Sequence, residues 1–249
     1  MKILLSVALL LTSIFVYSGC SSDPKYDTNV PEGMYNLGTK YEKDERYEEA
    51  LAILGQLKNK HPYSKFATEA ELKMADIQYK REEYIEAQGS YQTFKEMHPS
   101  HARIDYVTFR LAMSFFQQLP SSIDRDLSVG DRAILYFDEV IQSYPKSEHV
   151  GAAKENKSKT MRMLADKELY IANFYFIRKR WESALSRYED TLKKYPALGV
   201  DPQALYGAAI SAYRIKELPK AKAYYHQLMS EHKDSPEADK ARSELGSSI

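Results

Sequence analysis

Cys20 is the only cysteine in a chain of 249 residues, and its thiol is the most reactive group the sequence offers. With no second thiol, a disulfide within the chain is excluded. His98 and His101 stand three residues apart, a separation that on a helix could present two imidazoles to one metal ion. Pro99 lies between them and breaks the helix that would align them, and no cysteine or clustered carboxylate completes a ligand set. No metal site is expected. No serine occupies a Gly-x-Ser-x-Gly elbow and no glycine-rich phosphate loop is present. The carboxylates fall among lysines and arginines at helical spacing, which marks solvated helix faces rather than a paired acid and base. The chain is therefore read as a binding protein, without catalytic residues and without a cofactor.

The surroundings of Cys20 give its thiol a role. Lys2 is followed by an apolar run over residues 3–17, too short for a comfortable bilayer span, then by Ser18-Gly19-Cys20 and the polar Ser21-Ser22-Asp23. That layout predicts a secretory signal over residues 1–19. Ser-Gly-Cys resembles the bacterial lipobox, with Tyr17 standing where leucine is usual. The resemblance implies that Cys20 is acylated and becomes the first residue of the mature chain. Each buried acyl methylene contributes about 0.8 kcal/mol, so several chains hold a protein at a membrane with no spanning helix. Ser21 in second place resembles the sorting pattern of lipoproteins released to the outer membrane, and residues 20–30 read as a lipidated tether on its periplasmic face.

Residues 1–19 contain one lysine and no acid, so of 35 basic and 35 acidic residues the mature chain keeps 34 and 35. A net charge near minus one excludes bulk attraction to nucleic acid. Ten glycines, ten prolines and twenty tyrosines suit a mostly helical protein with many amphipathic aromatic surfaces.

The elements that carry those surfaces repeat. Amphipathic runs close at His61-Pro62, His98-Pro99, Tyr144-Pro145 and Tyr195-Pro196, where proline stops a helix for want of an N–H. Twelve residues before each proline stands an alanine: Ala50, Ala87, Ala133 and Ala184, with a further copy at Ala221. Leu54, Tyr91, Phe137, Tyr188 and Tyr225 follow four positions later and continue a buried stripe. Gly38, Ala75, Ala172 and Ala209 precede the marker alanine by twelve and predict the close crossing point on the first helix of each pair. The spacing resembles the tetratricopeptide signature, best in the first copy. The fold expected is all-α, a solenoid of about five tetratricopeptide-type helix pairs with a C-terminal capping helix past Ser235-Pro236.

Two intervals break the period. Ala87 to Ala133 is 46 residues against 37 elsewhere; with Ala112 as the crossing residue, the surplus predicts a loop over residues 118–130. Ala133 to Ala184 is 51 residues, and the helical reading of residues 149–164 lengthens the first helix of the fourth pair into one long or gently broken rod. The domains expected are residues 31–148, holding pairs one to three, and residues 149–249, holding pairs four and five with the cap.

Several strings lie outside the generic repeat: Ile104-Asp105-Tyr106-Val107, Asp124-Arg125-Asp126 in the loop, and Tyr144-Pro145-Lys146-Ser147. With the lipobox and the Val30-Pro31 start, they resemble the BamD family, the tetratricopeptide lipoproteins of the outer-membrane β-barrel assembly machinery, over about residues 28–235. The resemblance implies a scaffold whose N-terminal pairs receive targeting segments of unfolded outer-membrane β-barrel proteins. Its C-terminal pairs would dock on a BamA-like barrel core subunit, with other lipoproteins of the complex as further partners. Candidates for client binding are Tyr35, Tyr79, Asp105, Tyr106 and Phe109, with Tyr41 shared between that role and repeat packing; Asp105 is expected to pair with a loop arginine such as Arg125, or to stay solvated. Trp181 and Arg187 match the family's docking helix, or Arg187 bonds within its own helix. Pilotin-type lipoproteins of type IV pili, which assist secretin assembly, share anchor and repeats and remain the alternative.

Overall fold

The periodicity of aromatic and small residues folds into helices alone. A computed structural model describes residues 26–246 and 248–249, and among these are eleven α-helices and no strand. They are α1 (Pro31–Lys43), α2 (Tyr47–Lys60), α3 (Lys65–Lys80), α4 (Tyr84–Met97), α5 (Ile104–Gln117), α6 (Val129–Ser143), α7 (Val150–Ile177), α8 (Trp181–Lys194), α9 (Asp201–Arg214), α10 (Leu218–Glu231) and α11 (Pro236–Leu245). Cys20 and the signal segment lie outside the described residues. No described helix is long and apolar enough to cross a membrane.

The helix ends follow from local chemistry. α2, α4, α6 and α8 each stop two residues before a proline, and the intervening residue is pushed out of helical geometry to φ between −125° and −133°. Within the pairs the turn is equally regular. Glu45, Glu82, Lys179 and Lys216 adopt φ of 57–68°, and the next residue donates its N–H back to Tyr41, Gln78, Tyr175 or Ala212 at 2.8–3.0 Å. This is the Schellman arrangement, which satisfies a carbonyl that the helix end leaves open. The third pair lacks it because the insert, residues 118–128, takes its place. A left-handed residue with a Cβ is strained. Lys216→Gly, at an exposed site, is therefore expected to raise stability by about 0.5–1 kcal/mol in a urea titration; a loss would show that the lysine side chain holds the turn.

The chain divides into two compact units after Met74, within α3. In the first, α1 packs on α2, and a Cβ on Gly38 would lie 2.7 Å from the Leu54 side chain, so the backbone crosses where the repeat requires a small residue. Met34, Ala50, Leu54 and Leu57 are fully buried. Lys73 Nζ, 2.8 Å from Glu42 Oε2, ties α3 to α1.

In the second unit, from Ala75 onward, α5 packs on α6, α6 on α7, α7 on α8, α8 on α9, α9 on α10, and α11 covers α9. Ala87, Ala112, Ala133, Ala172, Ala184, Ala209 and Ala221 are all completely buried. α7 is a single helix of 28 residues, the continuous one of the two forms that the long interval before Ala184 allowed. Lys157 Nζ on α7 bonds Asp138 Oδ1 on α6 at 2.5 Å. The insert is fixed by the buried Leu127 and by Lys167 Nζ on α7, which donates to the carbonyls of Ile123 and Arg125.

Candidate recognition site

In the second unit the end of α3, α4 and α5 bring a polar group and several rings together. Asp76, one residue past the crossing Ala75, accepts from two hydroxyls on a single oxygen: Tyr91 at 2.6 Å and Tyr106 at 2.7 Å. Arg110 lies with its guanidinium carbon 3.6 Å from the Tyr79 ring centre and 5.9 Å from that of Tyr106, and its Nε donates to the Tyr91 hydroxyl at 3.4 Å. Tyr106, Phe109 and Arg110 occupy positions i, i+3 and i+4 of α5 and so share one face. Phe109 stacks on His149 at 4.9 Å with planes 4° apart, and His149 also meets Tyr106 at 5.6 Å.

Burial and charge set the protonation states. Tyr91 is wholly buried; burial, then the Asp76 charge, pushes its hydroxyl far above the ordinary range. The same two causes push Tyr106 up to about 12. Both phenols are therefore donors at any physiological pH. Burial opposes the charge of Arg110, but the hydroxyl oxygens of Tyr91, Tyr106 and Tyr79 outweigh it, and the guanidinium is held above its usual value.

Of the residues named from sequence, Tyr79, Tyr106 and Phe109 are brought together here. Tyr35 belongs to the first unit, where its ring lies 5.7 Å from Phe66 and 5.6 Å from Lys73 Nζ; Tyr41 carries Arg46 above its ring at 4.4 Å. Asp105 does not pair with Arg125. It sits in the first turn of α5, where the chain leaving α6 reaches it: the Ser147 hydroxyl, the Tyr106 N–H and His149 hold its carboxyl below the ordinary range against burial, while the insert folds onto α7 instead. His98 and His101 both pack on Phe94, at 4.8 and 5.1 Å. Asp76, Arg110 and His149 were not singled out. The signal for Arg110 was present, since it is the only cation in α5.

The proposed docking helix has two distinct contacts. Trp181, the first residue of α8, meets Phe176 edge-on at 5.3 Å and lies 5.9 Å from the Arg214 guanidinium. Arg187 bonds Glu168 of α7 at 3.3 Å and leaves 42% of its side chain exposed, so its partner lies on the neighbouring helix rather than its own. On α7, Tyr170, Phe174 and Ile177 expose 52, 43 and 76% of their surface at helical spacing.

The model of the YfiO family, described as outer membrane lipoprotein, matches residues 27–228. The chain belongs to that family. The residues matched to YfiO contain every candidate recognition and docking residue named above. Relatives include the outer membrane protein assembly factor BamD of Caulobacter vibrioides, 23% identical over 206 residues covering 81% of this chain and 67% of that one. The BamD of Rickettsia prowazekii is 27% identical over 228 residues, covering 90% of each. Among solved structures, the TPR2AB domain of yeast Sti1 in its pHSP90 complex aligns at 14% identity with a TM-score of 0.47, covering 85% of this chain and 81% of that one.

Proposed function

We propose that this chain is a lipid-anchored scaffold of the machinery that assembles β-barrel proteins into the outer membrane, held at the periplasmic face through Cys20. The observation that carries the reading is the YfiO match across the helical array, with BamD assembly factors as its relatives. The division of labour is that residues 31–148 receive unfolded barrel segments and residues 149–249 dock on a BamA-like core subunit. Client contacts are assigned to Tyr35 in the first unit and to Tyr79, Tyr106 and Phe109 in the second, with Asp105 at their margin. A half-buried aromatic surface suits an extended peptide held through side-chain pockets, with no chemistry required. Docking is assigned to Trp181 and Arg187, because a planar guanidinium can take a partner carboxylate in a bidentate bond.

Arg187 already has Glu168, so the test must separate docking from folding. A half-exposed pair contributes at most about 1 kcal/mol. Arg187→Glu is therefore expected to leave the melting temperature nearly unchanged while reducing core-subunit recovery about tenfold when the tagged protein is isolated from detergent-solubilised envelopes. Full recovery would remove Arg187 from the interface. A pilus secretin in place of a barrel subunit would overturn the reading.

A further inference from the structure

We propose that the corner of the second unit where the α7–α8 and α9–α10 turns lie side by side is a contact for an anionic lipid bilayer, separate from the Cys20 anchor.

The first ground is a charge surplus confined to this corner. Residues 177–182 and 214–222 hold seven cations and two carboxylates, in a chain with as many acids as bases. Lys220 is matched, by Glu189 at 3.1 Å and Glu217 at 3.2 Å. Arg178, Lys179, Arg180, Arg214, Lys216 and Lys222 are all exposed, and among the described residues no carboxylate lies within ion-pair distance of them. The two turns are neighbours, since the Arg214 guanidinium lies 5.9 Å from the Trp181 ring and α9 packs on both α7 and α8. The left-handed residue of the turn changes sign along the chain: Glu45 and Glu82 hold it in the first two pairs, Lys179 and Lys216 in the last two. Glycine would serve the backbone better there, so the fold does not account for the lysines.

The second ground is the apolar surface that runs into these cations. Tyr170, Phe174 and Ile177 follow one face of α7 at helical spacing, and Leu218 opens α10 with 46% of its surface exposed. Arg178 lies over the Phe174 ring at 3.6 Å. Apolar side chains beside unpaired cations match the boundary between acyl chains and phosphates, where basic residues keep their stems in apolar surroundings and their charges in water. A protein partner would have to bring a fixed carboxylate to each cation it buried. Mobile lipid phosphates match all six with no set geometry, each cation strengthening binding about fivefold. Arg187, paired with Glu168, stands six residues beyond Trp181, outside this corner.

The test is co-sedimentation of the unacylated mature chain, carrying Cys20→Ser, with vesicles of phosphatidylethanolamine and phosphatidylglycerol at three to one, and with vesicles of phosphatidylcholine alone. The anionic vesicles are expected to bind it at least about tenfold more strongly. Arg178→Gln, Lys179→Asn and Arg180→Gln combined should lower that binding at least about tenfold, asparagine being tolerated in the left-handed turn. Lys58→Gln with Lys60→Gln, which removes exposed cations of α2, should change it less than about twofold. Ile177→Ser, with the charge unchanged, should weaken it about fivefold. Equal binding to both kinds of vesicle, or a comparable loss in the α2 variant, overturns the proposal. So does undiminished binding of Ile177→Ser, which would mark a polyanion contact of the kind an acidic protein makes. If the triple variant does not fold, the two vesicle compositions and Ile177→Ser decide. The assembly reading is untouched by these outcomes, since the envelope isolation tests it.

Discussion

Gly207→Val is expected to destabilise the second unit by about 3 kcal/mol and to lower its melting temperature by roughly 6–12 °C. A Cβ at this position of α9 would lie 2.2, 2.3 and 2.7 Å from three carbons of the Tyr188 ring. Such approaches are normally relieved by moving the far end of a flexible side chain, and that route is closed. Tyr188 is buried, its hydroxyl donates to Asn173 on α7 at 2.6 Å, and Phe176 meets its ring at 6.1 Å. Either α9 lifts from α8 or the ring leaves the core, and each route gives up packing in a cluster that also holds Ala165, Leu169 and Ala184. Thermal melts followed by circular dichroism measure the effect. A shift below about 2 °C would mean that α8 and α9 can separate at little cost.

The same repeat explains what the sequence discloses and what it withholds. Small residues twelve apart mark close helix crossings because no larger side chain fits there, and that requirement acts on residue type alone. The long α7 and the insert were legible as surplus residues between fixed markers. Pairings across helices were less so. Tyr91 and Tyr188 each stand four residues past a marker alanine, and each donates to the residue after a crossing alanine, Asp76 or Asn173. The equivalent pairs Thr39 with Leu54, Met113 with Phe137 and Ile210 with Tyr225 offer no such combination, so the rule emerges only when two distant positions are compared. Asp105 and Arg125 illustrate the limit. Opposite charges in neighbouring segments suggest a pair, yet Ser147 reaches the carboxylate and Lys167 takes the loop carbonyls. Arg110 escaped notice because the charges in amphipathic helices normally face solvent, and only the geometry shows it lying on Tyr79.

Asp76→Ala is expected to cost about 2–4 kcal/mol, because it removes the acceptor of two tyrosine hydroxyls at once. The Tyr91 hydroxyl sits in a wholly buried side chain with no route to water, so it bears most of the penalty; Tyr106 is half-buried and recovers part of its loss by hydration. Asn173→Ala, which strands only Tyr188, should cost about half as much, and Asp76→Asn, which keeps an acceptor, should cost less than Asp76→Ala. The decisive comparison is a cycle with Tyr91→Phe. That change removes the long bond from Arg110 Nε in both backgrounds, a loss that cancels in the cycle; beyond it, the change costs about 1 kcal/mol in the unaltered protein, where the bond to Asp76 is lost, and is expected to be neutral or stabilising in Asp76→Ala, where it removes a stranded donor. Urea denaturation of the four proteins gives the coupling energy. A value near zero would mean that the hydroxyls find other partners when Asp76 is lost, and that the floor beneath Arg110 is held by ring packing alone.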